Sequence, residues 1–370
     1  MFFVYLHMQK NSQQISFSCV SLSKRKIKSE FFTQMNLLLD WSLIEAELKK
    51  YYSKGFSVSG RPSYSGLLLF KMSLLQSWYG LSDYEVEEKV NDSLSFMQFV
   101  GLTLEDDVPD HSVLSRFRTE LTTKGAYDKL MNCINDQLAQ KSILLKKGAI
   151  VDASITDSPR KPRGKKEFET TVVEDRQELI TDGVNANNDL TKAAPVTTVK
   201  VMSHVDTDAA WIKKAGKLRY GYKKHVATDE QGLVTAIVTT AANQSDVVHF
   251  EDVVTKANLP KGSRVRADKG YSSESNRQFL KNNKLKDGIM FKTVRNKALN
   301  NHQQKFNKIV SRKRYRIERT FGSIKNWFKT GVARYVGKAK THTQHVMEAI
   351  AYNLYRSPGI VMSNACLIVK

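Results

Sequence analysis

Gly148-Ala149-Ile150-Val151-Asp152-Ala153-Ser154 is where the chain changes character. A short apolar run reaches an acid with no polar break before it. Such a run reads as a buried strand that presents Asp152 at its C-terminal end. The residues before it read as helix, and those after it as strands and helices by turns. The stretch therefore marks the passage from an all-α portion to an α/β portion.

Before this point, residues 35–146 read as a succession of helices. Leu37-Leu38-Leu39-Asp40-Trp41 leads to Ile44, Leu48 and Tyr51. Arg61-Pro62-Ser63-Tyr64 opens a longer helix, with Pro62 suited to a first turn. Leu67, Phe70, Leu74 and Trp78 form its expected buried stripe. Leu81-Ser82-Asp83 breaks that helix, and Ser82 or Asp83 caps the next. Phe96, Phe99 and Val100 close that unit; Pro109-Asp110-His111-Ser112 restarts the chain before Leu114, Phe117 and Leu121. Short helices in this order suit a helix-turn-helix-like DNA-binding unit, and equally a small helical bundle. Residues 1–34 read as an irregular basic arm ending in Lys24-Arg25-Lys26-Ile27-Lys28, able to touch phosphates. Met8 and Met35 stand as alternative starts. Met1 to Leu6 is apolar but short, without a basic flank or a cleavage site, so no secretory signal is expected.

After Ser154, residues 157–216 are polar and lack a clear period, which predicts a long loop or insertion. Leu218–Thr228 and Leu233–Thr240 read as a hairpin about Asp229-Glu230-Gln231-Gly232. Asn243-Gln244-Ser245 is expected to cap a helix carrying Val247, Val248, Phe250, Val253 and Val254. Ser263-Arg264-Val265-Arg266-Ala267-Asp268-Lys269-Gly270-Tyr271 is again a strand ending in an acid. Ser272 or Ser273 starts another helix, Ile289-Met290-Phe291 is a short strand, and 292–313 is a basic connection. Thr341 to Tyr355 is the last helix expected.

Arg314 to Lys325 lies between those last two segments. Ile317, Phe321, Ile324 and Phe328 recur at i, i+4, i+7 and i+11, an apolar stripe on one helix face. Arg314, Glu318, Gly322 and Lys325 form a polar stripe beside it. Gly322 leaves room next to Glu318 at a cost in helix propensity, which suggests that something large approaches there.

The totals narrow the function. The 370 residues hold 58 Lys and Arg against 37 Asp and Glu, a net charge of +21, with 41% hydrophobic content. A core-forming chain with that excess of cations favours a polyanion, and nucleic acid is the usual one. Cys19, Cys133 and Cys366 lie far apart, which argues against a disulfide framework or a zinc finger. No apolar run approaches a membrane span, so no membrane partner is expected. The place expected for the protein is inside the cell: cytoplasmic and, given its charge, associated with DNA.

Asp152, Asp268 and Glu318 then carry the chemistry. Two acids end strands and the third projects from a late helix. Sites in α/β sheets form at the carboxyl ends of strands. Three carboxylates with no histidine or cysteine companion are hard-cation ligands suited to Mg²⁺ or Mn²⁺. Two such ions, roughly 4 Å apart, can act on a phosphodiester from both sides.

At these residues the chain resembles the DDE transposases of bacterial insertion sequences, specifically the insertion sequence 5 group, from about residue 20 to residue 360. Val151-Asp152-Ala153-Ser154 is similar to the strand of the family's first acid, and Ala267-Asp268-Lys269-Gly270-Tyr271 to that of the second. Arg314, Glu318 and Lys325 fit the spacing of the family's Tyr, Arg, Glu and Lys signature. Its tyrosine falls at position 311, which here is Ser311, with Tyr315 nearby. Gly60-Arg61-Pro62, Leu81-Ser82-Asp83, Pro109-Asp110 and Gly221-Tyr222-Lys223-Lys224-His225 also resemble family stretches. The short gap between Asp268 and Glu318 leaves no room for the large β-insertion of some relatives.

The resemblance implies an α/β fold: a ribonuclease H-like catalytic domain at 147–360, preceded by an all-α domain at 35–146. It implies that Asp152, Asp268 and Glu318 are the catalytic and metal-binding residues, holding two Mg²⁺ or Mn²⁺ ions. It implies DNA contacts by Arg314, Lys325, Lys269 and Arg319, with Arg316 and Lys329 as further contacts. The partners implied are the element's ends and target DNA, with a homodimer or larger complex on the DNA. A metal-dependent nuclease without strand transfer, and a degenerate protein that grips DNA ends or represses, are the alternatives. His225 reads as a packed strand histidine and Trp327 as core.

Overall fold

The computed structural model describes residues 29–52, 63–162, 205–214, 216–293 and 298–368. The basic run at 24–28, the Gly60-Arg61-Pro62 stretch and most of the polar insertion lie outside the described residues.

Helices come first: α1 (Ser29–Leu38), α2 (Trp41–Lys49), α3 (Gly66–Tyr79), α4 (Asp83–Asp92), α5 (Leu94–Val100), α6 (His111–Thr123) and α7 (Ala126–Gln140). Their starts lie just after polar residues that satisfy free N–H groups. Asp40 accepts from Ser42 N, Ser82 and Glu85 close a capping box on α4, and Asp110 accepts from Val113 N. Helix α1 begins within the stretch expected to be an irregular arm. Phe32 and Met35 explain this, because both are buried in the core. In α3, Phe70, Leu74 and Trp78 are buried as expected, and so are Leu68, Leu69, Met72 and Leu75. The helix is enclosed on most sides, and a single stripe understates its burial.

The sheet comes next: β1 (Gly148–Asp157), β2 (Ala210–Lys214), β3 (Lys217–Thr228), β4 (Val234–Ala241), β5 (Arg264–Ala267) and β6 (Lys286–Ile289). Strand β1 is central. It pairs antiparallel with β3 and parallel with β5; β3 pairs antiparallel with β4 and β2, and β5 parallel with β6. Four strands in antiparallel pairing, β1 to β4, running into the parallel pair β5 and β6 make the mixed, ribonuclease H-like sheet that was expected. Helices α8 (Phe250–Ala257), α9 (Glu274–Asn282), α10 (Asn301–Phe328) and α11 (Lys338–Ile368) complete it.

Alternation sorts the strands' side chains onto two faces. Ile150 and Val226 join Ile317, Phe321, Ile324, Val346 and Ile350 on the α10–α11 face. Val151 and Ala227 join Phe250, Val253 and Leu280 on the α8–α9 face. The first of these clusters runs on without a break into α1–α7. Trp78 Nε1 donates to Ala351 O at 2.9 Å, tying α3 to α11.

Several boundaries differ from expectation. Strand β1 does not stop at Asp152 but continues to Asp157, because β3 pairs with it throughout. Helix α8 starts at Phe250 rather than near Ser245, and Val248 is exposed. Strand β6 lies ahead of Met290. The expected basic connection becomes helix from Asn301, where Asn300 and Gln303 form a capping box. Helix α11 extends well beyond Tyr355. Trp327 is 43% exposed rather than core. It sits one residue off the Ile317–Phe328 stripe and leans on the Tyr352 and Tyr355 rings of α11.

Candidate catalytic site

Strand register brings the first two acids together. Val151 is the partner of Ala267 in the parallel β1–β5 ladder. Asp152 and Asp268 are the next residue on each strand, so they leave the ladder side by side at its carboxyl end. Asp152 thus marks the end of the parallel pairing, although β1 itself runs on. Asp268 starts a single 3₁₀ turn, Lys269–Tyr271, and its carboxylate accepts from Lys269 N at 2.7 Å.

Helix α10 supplies the third acid. Ile317, Phe321, Ile324 and Phe328 are all buried and fix the helix on the sheet. The rotation this sets points Arg314 at the strand ends. Its Nη2 donates to Asp152 Oδ2 at 2.7 Å, and its Nη1 lies 3.2 Å from Asp268 Oδ1. Glu318, one turn further, has Oε1 4.0 Å from Nη2. The guanidinium side chain is 12% exposed, Asp152 20%, Asp268 36% and Glu318 62%. Three acids from two strands and one helix therefore surround one cation.

Burial pushes the Asp152 carboxyl above its ordinary range, opposed by the charge of Arg314 and a hydrogen bond from Ala153 N at 2.8 Å. A carboxylate taken from water beside another acid needs a positive partner. Among the described residues, no three or more His, Cys, Asp or Glu side chains are gathered closely enough to hold a metal ion as they stand. The guanidinium lies between the acids here. The donor set is all carboxylate, which fits a hard divalent cation.

The basic residues expected beside the acids divide. Arg314 is at their centre. Lys269 is exposed and follows Asp268 directly, while Arg319 is exposed but its Nη2 lies 4.0 Å from the position a Cβ would take at Gly232, in the turn between β3 and β4. Lys325 lies about 10 Å beyond Glu318 along α10, counting 1.5 Å per residue. Its ammonium is pushed down first by burial and then by Lys224, Arg219 and Lys214. Lys325 therefore stands with the cations at the far end of β1, where Arg219 makes two 2.8 Å bonds to the Asp157 carboxylate. Gly322 is exposed, and a Cβ there would meet nothing within 4 Å.

A polar cluster on the α8 face was read only in part from the sequence. Tyr271 is 2% exposed, and its hydroxyl has no hydrogen-bond partner among the described residues. Burial raises that hydroxyl well above its usual value, and the charges of Asp246, Asp152 and Asp268 add to this. Lys223 Nζ lies 2.8 Å from Asp246 Oδ1. His225 is fully buried, with Nε2 3.1 Å from Thr240 Oγ1. It is a packed strand histidine, lowered to about 4 by burial. Tyr271 closed the second-acid motif in the sequence, but nothing local showed that its ring turns inward. Asp246 comes after β4 without any period to mark it.

Comparison with known proteins identifies the family. Residues 174–354 match the family described as Transposase DDE domain, and residues 20–120 match Transposase domain (DUF772). Asp268, Glu318 and the basic signature residues fall inside the first match, while Asp152 lies ahead of it. The transposase for insertion sequence element IS1106 of Neisseria meningitidis serogroup B is 34% identical over 244 residues, 65% of this chain and 76% of that protein. The crystal structure of a pre-cleavage Mos1 transpososome matches at 10% identity and a TM-score of 0.20, over 90% of this chain and 97% of that one. That likeness is too slight to support any inference. A mixed sheet with acids at its parallel edge, two matched transposase regions and a close insertion-sequence relative lead to one conclusion: the chain belongs to the DDE transposase family.

Proposed function

We propose that this transposase binds the terminal inverted repeats of its insertion sequence, cuts the DNA there and joins the freed 3′-hydroxyl to target DNA. The observation that carries this reading is the convergence of Asp152, Asp268 and Glu318 on one cation-bearing point. A pure DNA binder has no use for three acids facing phosphates, since they repel the backbone unless a cation intervenes.

Asp152, Asp268 and Glu318 are the residues that would hold Mg²⁺ or Mn²⁺, as a pair of ions. When bound, such ions supply activation of the attacking hydroxyl and stabilisation of the leaving oxygen. Arg314 and Lys269 would hold phosphates beside the acids, and Arg319 and Lys325 would hold the backbone further along α10. The exposed backbone at Gly322 lets the DNA come close. The helical portion at 35–146 would recognise the element's ends, and the portion at 147–360 would carry out the chemistry. Two ends held together call for a homodimer or a larger complex. No helix among the described residues is long and apolar enough to cross a membrane.

The test is direct. Purified protein is incubated with Mg²⁺ and a supercoiled plasmid carrying the repeats that flank its gene, beside Asp152→Ala and Glu318→Gln. Cleavage at the repeat ends and joined products are expected from the unmodified protein only, with both variants still binding the DNA. Cleavage that survives either substitution would refute the assignment. Cleavage without joining would leave a nuclease, and binding without cleavage by any of the three would leave a DNA-end-binding protein.

A further inference from the structure

Arg314 is asked to do two things that exclude one another. As a phosphate ligand it must point toward DNA. In the structure its fork is spent on the protein's own acids, with Nη2 2.7 Å from Asp152, Nη1 3.2 Å from Asp268 and Nη2 4.0 Å from Glu318. Without a positive group there, two aspartates on adjacent parallel strands repel each other in a partly desolvated place. The guanidinium relieves this and occupies the point toward which an incoming cation would be drawn.

A second observation concerns the rest of the same side chain. Arg314 Nε is buried and has no hydrogen-bond acceptor among the described residues. Arginine donates to a phosphate most favourably through a planar pair of N–H groups. Here one donor of that pair is idle, so the acids satisfy the arginine incompletely. The helix itself is fixed by Ile317, Thr320 and Phe321, of which Thr320 Oγ1 donates to Gly232 O at 2.7 Å. The long side chain can rotate while its Cα stays in place.

We propose that Arg314 is a built-in stand-in cation: in the free protein it bridges Asp152, Asp268 and Glu318, and divalent-metal binding releases it to a DNA phosphate. This rests on the reading of the three acids as metal ligands. Arg314 is on this account a positioning residue that couples two binding events. Metal must displace the guanidinium, so it binds weakly to the free protein. DNA rewards the displaced arginine, so it strengthens metal binding, and by reciprocity metal strengthens DNA binding. The free site is held assembled, yet it holds metal ions only weakly when no substrate is present.

Calorimetric titration of Mn²⁺ into the full-length protein tests this, with and without a duplex carrying one flanking repeat. The proteins compared are the unmodified chain, Arg314→Gln and Glu318→Gln. Without DNA, Arg314→Gln is expected to bind Mn²⁺ at least fivefold more tightly than the unmodified protein, the lower end of ordinary coupling. The duplex is expected to tighten Mn²⁺ binding by a similar factor in the unmodified protein and by much less in Arg314→Gln. If Arg314→Gln melts below the assay temperature, Arg314→Lys is read instead. A lone ammonium cannot span three acids, so its Mn²⁺ affinity also rises; an unchanged affinity overturns the proposal. Equal Mn²⁺ affinity and equal gain from DNA in the unmodified protein and the variant overturn the role of Arg314 while leaving the acids as ligands. Absence of Mn²⁺ binding in every protein, with and without DNA, overturns the acids as a metal site and this inference with it.

Discussion

Asn353 shows how one buried amide can fasten three elements. It is fully buried on α11. Its Oδ1 accepts from Val234 N at 2.8 Å, and its Nδ2 donates to Val234 O at 2.8 Å and to Asn135 Oδ1 at 2.9 Å. The first residue of β4, α7 and α11 thus meet at one side chain. Replacing it with Leu removes every partner while filling a similar volume. Each buried polar group left unpaired costs about 1–3 kcal/mol, so Asn353→Leu is expected to lose about 2–5 kcal/mol in urea melts. A loss under about 1 kcal/mol would show that these bonds are replaced by water or by repacking. Single residues of this kind were poorly legible in the sequence. Asp152 and Asp268 could be picked out because acids that end apolar runs are chemically odd, and Glu318 because it stands on a polar helical stripe beside a glycine. Asn353 lies among residues of ordinary helical character, and its partners lie more than a hundred positions away. Trp327 misled and the inward turn of Tyr271 went unread for the same reason: which way a ring turns depends on neighbours that the local sequence does not contain.

At the scale of elements, α10 serves as both scaffold and site. Its apolar stripe was legible because a helical period needs no knowledge of the rest of the fold. Its start at Asn301 was obscured by a run of lysines and arginines that reads as a solvated loop, although the Asn300–Gln303 capping box was there to be found. Strand β1 was cut short at Asp152 because the sequence shows the end of an apolar run and not the partner strand that extends it. Gly322 tests the double role. In an exposed helix interior, glycine costs about 1 kcal/mol relative to alanine, and a Cβ there meets nothing within 4 Å. Gly322→Ala is therefore expected to raise stability by about 1 kcal/mol in denaturant melts. If DNA approaches that backbone, the same change weakens binding to an end-bearing duplex in fluorescence anisotropy. A variant that is more stable and binds unchanged would remove Gly322 from the DNA path.

At the scale of the molecule, two buried histidines make stability depend on pH. Burial lowers His225 to about 4 and His345 well below its usual value. His345 sits fully buried between Thr239 Oγ1 at 2.9 Å and Thr156 Oγ1 at 3.1 Å, with Lys224 and His342 adding positive charge nearby. Both are neutral in the fold and protonate in the unfolded chain near 6.5. The unfolded chain thus binds more protons below that value. Stability is complete above about pH 6.5 and falls as pH drops toward 4, by up to about 1.4 kcal/mol per unit for each histidine. Thermal melts from pH 7.5 to 5 should show this fall, and His345→Gln should flatten it; an unchanged slope would mean that His345 is not held neutral. The net charge was the most legible feature at this scale, pointing to a polyanion before any fold was known. The way the parts join was not legible, since contacts such as Trp78 to Ala351 are 273 positions apart.

That join has a consequence for how the protein is made. Asn135 and Asn353, bonded in the finished core, are separated by 218 residues. At 5–20 residues per second, a ribosome needs about 10–40 s to add the second after the first. By the end of that interval the N-terminal helices and the sheet have been made, with the apolar surface that α11 will cover still open to water. Helix α11 is the last piece synthesised among the described residues, and it acts as the keystone. Nascent chains of this transposase should therefore recruit chaperones and resist independent folding until α11 is released.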